Sequence, residues 1–346
     1  MISAPSAPVE ASERYSRQAL FPGIGRAGQE RLRSAHVAVV GCGATGAAAA
    51  SLLARAGVGV LTLIDRDFVE ESNLQRQILF DEQDARDAAP KAEAAQRRIH
   101  QFNREVVVHA HVADLVPGNV HALLSGSALV LDATDNYETR YLLNDYAIEQ
   151  GKPWIYAAAV GSYAVTMNVL PGETACLACL FPQAPAGVVE TCDTAGILNT
   201  AVNLAASIEV TEAIKFLVGA REQMRRTLLS FDLWSNERSE IAAGAPRADC
   251  AVCQARDFAH LRGTARPHIT LCGRNSVQIH EHHRPVDLSA MAERLRPHGE
   301  VRHNQTLLHF RRGAHTITLF SDGRAVIAGT SDVMVARSLY ARFIGS

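Results

Sequence analysis

The stretch His36-Val37-Ala38-Val39-Val40-Gly41-Cys42-Gly43-Ala44-Thr45-Gly46 sets a β-rich run directly before a GxGxxG loop, and residues 47–56 continue with helix-forming composition. Residues 60–65 read as the next strand and end in Asp65. Strand, glycine turn, helix and strand in that order form a βαβ unit, whose short connections demand a parallel, doubly wound sheet. Working outward, strands are expected at 106–112, 128–132 and 154–158. Helical patterns lie between them at 91–102, introduced by Pro90, and at 138–150. Past residue 158 the expectation is a strand at 165–170, a cysteine-bearing loop, and a long apolar helix at 199–218 stopped by Gly219. An antiparallel pair at 227–233 and 237–241 follows. The fold class is therefore α/β, a Rossmann-like mixed sheet, parallel in its N-terminal half and antiparallel in its C-terminal half.

After Phe258 the pattern changes to short strands, a turn at Asp322-Gly323 and a terminal helix at 332–343. Three regions are expected: a disordered tail over 1–13, a main domain over 14–264, and a small α+β domain of unassigned role over 265–346.

Composition narrows the class of partner. The 346 residues are 47% hydrophobic, with a formal net charge of -2 and a pI near 6.7. No global field favours nucleic acid or an anionic membrane, so phosphate binding must be local. The uncharged run from Val37 to Ala54 is broken by the glycine loop, and reads as a strand and buried helix rather than a membrane span. The first thirteen residues lack a secretory pattern. Four of the seven cysteines stand in two CxxC pairs, which fits thiol and metal chemistry in a reducing cytoplasm better than a disulfide framework.

The chemistry-bearing positions cluster after the predicted strands. Gly41, Gly43 and Gly46 suit a phosphate cradle, and Asp65, with Asp67 beside it, can accept from ribose hydroxyls, a role that serves NAD and ATP equally. Asn73-Leu74-Gln75-Arg76-Gln77 brings amide and guanidinium donors suited to a triphosphate. Lys91 opens a helix, where the macrodipole disfavours a cation by about 0.3–1 kcal/mol unless an anion is bound. Asp132-Ala133-Thr134-Asp135-Asn136 ends a strand at the ligand-binding edge, where Asp135 can hold Mg2+ and Asn136 can join the nucleotide site. Alternatively, Asp135 or Asn136 caps the following helix. Cys176, Cys179, Cys250 and Cys253 have the spacing of a closed, structural zinc site. Cys192 is a spare thiol, and Cys272 is as readily a buried small hydrophobe as a reactive one.

Taken together, the glycine loop, Asp65, Asn73-x-x-Arg76-Gln77, Lys91, Asp132-Ala-Thr-Asp135-Asn136 and the paired CxxC motifs resemble the ThiF/MoeB/HesA adenylyltransferases, relatives of ubiquitin-activating enzymes. The resemblance spans roughly residues 14–254. It implies that ATP and Mg2+ adenylylate the C-terminal glycine of a ubiquitin-like sulfur-carrier protein ending in Gly-Gly, for thiamine or molybdopterin-type cofactor synthesis. Tyr156 to Tyr163 and Thr191 to Gly196 look nearer the thiamine type. It further implies that Arg17 reaches the ATP of a partner subunit in a homodimer, and that Cys192 links covalently to the carrier. A cysteine desulfurase or sulfurtransferase would supply sulfur. Arg17, Arg76, Lys91, Asp135 and Cys192 are thus the expected catalytic set. The competing readings are a peptide or tRNA-linked carboxylate as acceptor, a nicotinamide-dependent dehydrogenase, and a non-enzymatic scaffold. Residue by residue, Arg17 is expected to lie on a segment that its own subunit's core does not place.

Overall fold

The computed structural model describes residues 13–183, 195–263, 270–271, 276–279, 286–303, 307–321, 323 and 325–345. The expectations for the N-terminal tail up to residue 12, for Cys192 and for Cys272 lie outside the described residues. Two compact units divide the chain. The larger holds the sequence up to Asp135 with Thr139–Pro182 and Leu198–Phe258; the other gathers Asn136–Glu138, Gln183–Ile197 and Ala259–Ser346, as far as these are described.

Eight strands form the sheet of the larger unit: β1 (His36–Val40), β2 (Val60–Ile64), β3 (Val107–His111), β4 (Leu129–Asp132), β5 (Trp154–Val160), β6 (Tyr163–Val169), β7 (Thr227–Asp232) and β8 (Glu237–Ala242). They lie in the order β3-β2-β1-β4-β5-β6-β7-β8. From β3 to β5 the pairing is parallel, and from β5 to β8 antiparallel. The change of hand falls at a turn where Gly161 takes φ +60°, which a side chain would resist. Helices α1 (Gly25–Ser34), α2 (Ala44–Ala56), α3 (Lys91–Phe102), α4 (Tyr137–Gln150) and α5 (Asn199–Val218) complete it. Alternate residues Val37, Val39, Leu61, Leu63, Leu129 and Leu131 share one core with α1, α2, α3 and α5. The alanine run Ala47–Ala50 is buried in that core, where small side chains let helix and sheet approach closely.

The chain reaches β1 through a segment that the core does place, contrary to expectation. Tyr15 is buried, and its hydroxyl accepts from Asn103 Nδ2 at 2.8 Å; the same nitrogen donates to Ala54 O at 2.7 Å. Gln18 Nε2 donates to Gln29 Oε1 and to Ala56 O. A Cβ on Gly57 would stand 2.7 Å from the Tyr15 ring, so this glycine admits the tyrosine. Two short polar side chains and one aromatic ring thus moor a segment that is too brief to fold alone. These contacts sit at the C-terminal end of α2. Its thirteen residues separate them from the glycine loop by about 20 Å at the usual rise per residue.

The smaller unit is an antiparallel sheet in the order β11-β12-β13-β14-β10-β9, built from β9 (Thr270–Leu271), β10 (Ser276–Ile279), β11 (Glu300–His303), β12 (Leu307–Arg312), β13 (His315–Phe320) and β14 (Ala325–Ala328). Helix α6 (Leu288–Leu295), which the sequence reading did not anticipate, and helix α7 (Val333–Phe343) pack on it. Asp287 and Asp332 cap them, accepting from Ser289 N and Met334 N at 2.9 and 2.8 Å. Leu308, Phe310, Ile317, Leu319 and Ile327 meet Ala292, Leu295, Ala336, Tyr340 and Phe343 in a core of its own.

Inside α5, read from sequence as apolar, Glu209 is fully buried and neither carboxylate oxygen has a hydrogen-bond partner among the described residues. Burial pushes its carboxyl well above the ordinary range, and Asp132 adds to the rise. A folded pKa above the unfolded one means that the native state binds the extra proton, so stability falls as pH rises past the unfolded value of about 4.3. Glu209→Gln keeps the shape and removes that titration. We expect its melting temperature to exceed the wild type's by more at pH 8 than at pH 5; an equal difference at both would show that Glu209 does not titrate abnormally.

Candidate active site

Gly41, Asp65 and Asp132 each end or follow a strand, β1, β2 and β4, which are neighbours in the sheet. Strand order reverses between β1 and β4, and this is the switch point where open α/β sheets bind ligands. The loops after β1 and β4 touch there. Gly41 has φ +90°, and a Cβ on it would stand 2.7 Å from Ala133 O; one on Gly46 would meet Gly41 O at 1.8 Å. These two glycines are needed by the protein's own packing. At Gly43 the first atom that a Cβ would meet is Gln77 Nε2 at 4.0 Å, so the space beside it is left for something else. Gly43 is also the N-cap of α2, and no side chain caps that helix. Its first N–H groups and the positive end of its dipole face the opening, which is how a helix receives phosphate.

Asp65 fixes the loop. Its Oδ2 accepts from Cys42 N at 2.6 Å and its Oδ1 from Asp67 N at 2.7 Å. Burial pushes its carboxyl up, while the nearby Lys91 ammonium and the two amides pull it back; Asp67 works against them. Asp65 thus shapes the turn as well, and each oxygen keeps a second lone pair for a ribose hydroxyl.

Lys91 is not a solvated surface lysine. It is 2% exposed, and its Nζ lies 3.4 Å from Asp67 Oδ2. The position is imposed by a short antiparallel contact in which Phe68 pairs with Pro90, Val69 N donates to Ala89 O and Lys91 N donates to Asp67 O. An ammonium at the start of α3 and out of water is tolerable beside two carboxylates.

In the following loop the structure separates the expected donors. Asn73 is buried and serves the turn: its Oδ1 accepts from Glu70 N at 3.1 Å and its Nδ2 donates to Ser72 Oγ. Arg76 donates to Ser72 O at 2.8 Å through Nη1, and its other donors have no partner among the described residues. Gln77 is buried with Oε1 unpartnered, beside the space at Gly43.

At the end of β4, Asp132 is fully buried. It accepts from Thr134 N and Oγ1 and from Arg140 Nε at 3.0, 2.7 and 3.3 Å. Burial raises its carboxyl, against the pull of Arg140 and Thr134. Arg140, which the sequence reading missed, also stacks 5.2 Å over the Tyr156 ring. Its only signal is an arginine in the first turn of a helix that otherwise buries most of its residues. Asp135 points outward from the loop that Asp132 anchors, and it is exposed without a partner among the described residues. Arg17 is likewise exposed and unpartnered, at the far end of α2.

The cysteine cluster lies apart from the glycine loop in sequence. The Sγ atoms of Cys176, Cys179, Cys250 and Cys253 all fall within 4.8 Å of one another. Cys176 is 3.7 Å from Cys179 and 3.6 Å from Cys250, and Cys179 is 3.4 Å from Cys253. Tetrahedral zinc with Zn–S near 2.3 Å requires S···S separations of about 3.8 Å, so the four ligands fit the ion. Burial and mutual repulsion raise Cys176 well above its usual range and Cys253 to about 12. At Cys250 burial acts in the same sense, but the backbone amides of Cys253 and Val252 outweigh it. Arg247 N donates to Cys179 Sγ at 3.3 Å, the kind of outer contact that tunes a thiolate ligand. The first pair is tied to α4, where Asn144 Oδ1 accepts from Leu177 N at 2.9 Å, and the second follows β8. All four ligands are consumed in the cluster, which leaves no open position for catalysis.

The ThiF family model matches residues 15–252. The sulfur carrier protein ThiS adenylyltransferase of Bacillus subtilis is 45% identical over 336 residues, 96% of this chain and 99% of that protein. A SAMP-activating enzyme E1 of Haloferax volcanii is 38% identical and a sulfur carrier protein adenylyltransferase of Thermus thermophilus 39% identical, each over 70% of this chain and 88% and 91% of their own lengths. Among solved structures, E. coli MccB with MccA-N7isoASN superimposes with a TM-score of 0.63 at 24% identity, over 71% of this chain and 75% of that one, a likeness of fold. The glycine loop at the switch point, the buried Asp65–Lys91 group and three of the four clustered cysteines lie within the matched residues, with Cys253 the next residue beyond them, and the chain is a member of the ThiF family.

Proposed function

We propose that this protein is an ATP-dependent adenylyltransferase that activates the C-terminal glycine carboxylate of a ubiquitin-like sulfur-carrier protein, releasing pyrophosphate, as a step in thiamine-type sulfur transfer. The chemistry rests on one observation above the others: an uncapped helix N-terminus at the switch point, with free space at Gly43 and a lysine held beside it. The acceptor rests on likeness to the ThiS adenylyltransferase, which extends over both units, whereas the likeness to the other two adenylylating enzymes covers 70% of the chain. The nicotinamide reading loses its support with the family assignment. A peptide acceptor gains none from MccB, which shares only the fold.

In the reaction a carboxylate oxygen bonds to the α-phosphorus while the bond from that phosphorus to the bridging oxygen breaks, so that pyrophosphate leaves and an acyl-adenylate remains. Two anions must meet, and the protein's work is positioning and charge neutralisation. The amides of α2 would cradle phosphate, Asp65 would accept from the ribose, and Arg76 and Lys91 would meet phosphate oxygens. Gln77 Oε1 completes the proposed nucleotide set. Asp135 is the carboxylate placed to hold Mg2+, which would neutralise phosphate charge when bound. Trp234 and Tyr163, 81% and 45% exposed at the strand ends on the site's side of the sheet, give a protein acceptor an apolar face.

Arg17 supports a homodimer. Moored at the opposite end of α2 from Gly43, it has no path to its own nucleotide, so any phosphate it contacts belongs to a second copy. Cys192 is assigned to the later step, taking the carrier from its adenylate, with a cysteine desulfurase or sulfurtransferase as sulfur donor, in the cytoplasm. Zinc on the four cysteines is structural, stapling the loop after β6 to the segment after β8.

Asp135→Ala is expected to abolish carrier-dependent pyrophosphate exchange into ATP while leaving the melting temperature within about 1 °C, as for an exposed side chain away from any network; undiminished exchange would remove Asp135 from the mechanism. Elemental analysis of reduced protein should find one zinc per chain, and chelation should lower the melting temperature before it alters exchange at low temperature. Protein that is free of metal yet equally stable would leave the pairs as redox thiols. Arg17→Ala should lose exchange but keep carrier binding, and mixing it with Asp135→Ala should restore activity at the hybrid site that holds both residues. Subunit exchange without restored activity would place Arg17 outside the reaction.

A further inference from the structure

We infer that the smaller unit carries a binding site for a phosphate-bearing small molecule, in a cleft at the C-terminal end of α7. The charge of this part of the chain is the first reason. From Ala259 to Ser346 there are twelve arginines, no lysine and six acidic residues, a net of +6 within a chain whose total is -2. The chain as a whole favours arginine, with three lysines among its 34 basic residues, and the planar guanidinium is shaped for bidentate recognition of phosphate.

The cleft is the second reason. It encloses about 320 Å³ and is lined by Arg294, His298, Arg312, Arg342, Phe343 and Gly345. A smaller hollow of about 150 Å³ shares Arg312, Arg342 and Phe343 and adds His315. Neither lining contains a carboxylate. Elsewhere in the unit two arginines are matched: Arg296 pairs with Glu293, and Arg302 with Glu300 at 2.9 Å. Here Arg294 is fixed by the carbonyls of Phe343 and Ile344 at 2.9 and 2.7 Å, at the C-terminal end of α7. Arg312 and Arg342 lie 5.2 and 5.3 Å from the Phe343 ring centroid, and the His298 ring stands 6.3 Å away. An aromatic face steadies a guanidinium without using its N–H donors. Three like charges therefore converge on one cleft, and Arg312 and Arg342 keep their donors unspent among the described residues, an arrangement that a bound polyanion stabilises.

The size of the cleft suits a mono- or diphosphate. A single-stranded nucleic acid is a poorer fit, because among the described residues of this unit the exposed large apolar side chains are Met334 and Val335, and neither offers a ring for base stacking. The inference does not depend on the adenylylation reading.

The test uses the full chain without ATP or carrier, titrated calorimetrically with orthophosphate, pyrophosphate and AMP, in parallel with Arg312→Gln/Arg342→Gln. Both positions are exposed and outside the nucleotide site, so exchange activity should be unchanged in the variant. The native chain should bind at least one of the three probes at one more site than the variant, or about tenfold more tightly, with the His298 ring resonances moving as that site fills. Pyrophosphate alone would identify the chain's own product as ligand, and AMP alone a nucleotide; orthophosphate would mark general phosphate recognition. Arg342→Gln alone, in the last exposed turn of α7, gives the same reading if the double variant is unstable. Equal stoichiometry and affinity in native and variant chains, or His298 resonances that stay fixed while phosphate binds elsewhere, would overturn the site.

Discussion

The Asp65 carboxylate holds the nucleotide end of the molecule together. Its two oxygens take backbone amides from two different places, Cys42 in the glycine loop and Asp67 in the turn that follows β2. A carboxylate so deeply buried costs several kcal/mol unless it is compensated. Compensation comes from those amides and from Lys91, and Lys91 is itself held beside Asp67 by the Phe68–Pro90 contact. Loop, turn and helix start are thereby locked by one group, and none of the three can shift without leaving a buried charge exposed to its own desolvation.

The same constraint explains the division of labour among the glycines. Gly41 and Gly46 are glycines because the loop after β4 and the loop's own carbonyl come too close for a Cβ, so they serve the fold. Gly43 faces open space at an uncapped helix end. Only the middle glycine leaves space, and an alanine there would meet open space rather than protein. Asp132 plays the matching part on β4: buried between Thr134 and Arg140, it steadies a loop from which Asp135 projects. In both halves of the switch point the buried carboxylate is architectural and the accessible group is left for chemistry.

The four-sulfur cluster secures the antiparallel half of the sheet in a similar way. Cys176 and Cys250 are 74 positions apart, and a metal there would close a long loop that hydrogen bonds between β6, β7 and β8 close only in part. Burial and the neighbouring thiols raise the proton affinity of Cys176 and Cys253, so a cation that releases those protons would convert repulsion into cohesion.

Much of this was legible in the sequence because periodicity and glycine spacing are local. The helix at Lys91–Phe102 and the one at Asn199–Val218 fall at the residues that their patterns indicated, and the mixed sheet followed from the order of strands. The four cysteines could be grouped because CxxC pairs carry their geometry with them. Burial was not legible. Lys91 was legible as a phosphate-binding candidate but not as a buried one, and becomes an internal cation only when Pro90 pairs across to Phe68. Asn73 looked like a phosphate donor and turned out to build its own turn. Arg140 and Glu209 gave little sign at all, since each acquires its role from Asp132 or the core, distant in sequence. The segment around Arg17 seemed adrift, yet Tyr15 and Gln18 find partners at Asn103, Gln29 and Ala56. Sequence determined which elements form and which residue types could carry the chemistry, because these depend on neighbours along the chain. Tertiary structure alone decided which charges lose water and which stay open to a ligand, because desolvation is set by what packs from afar.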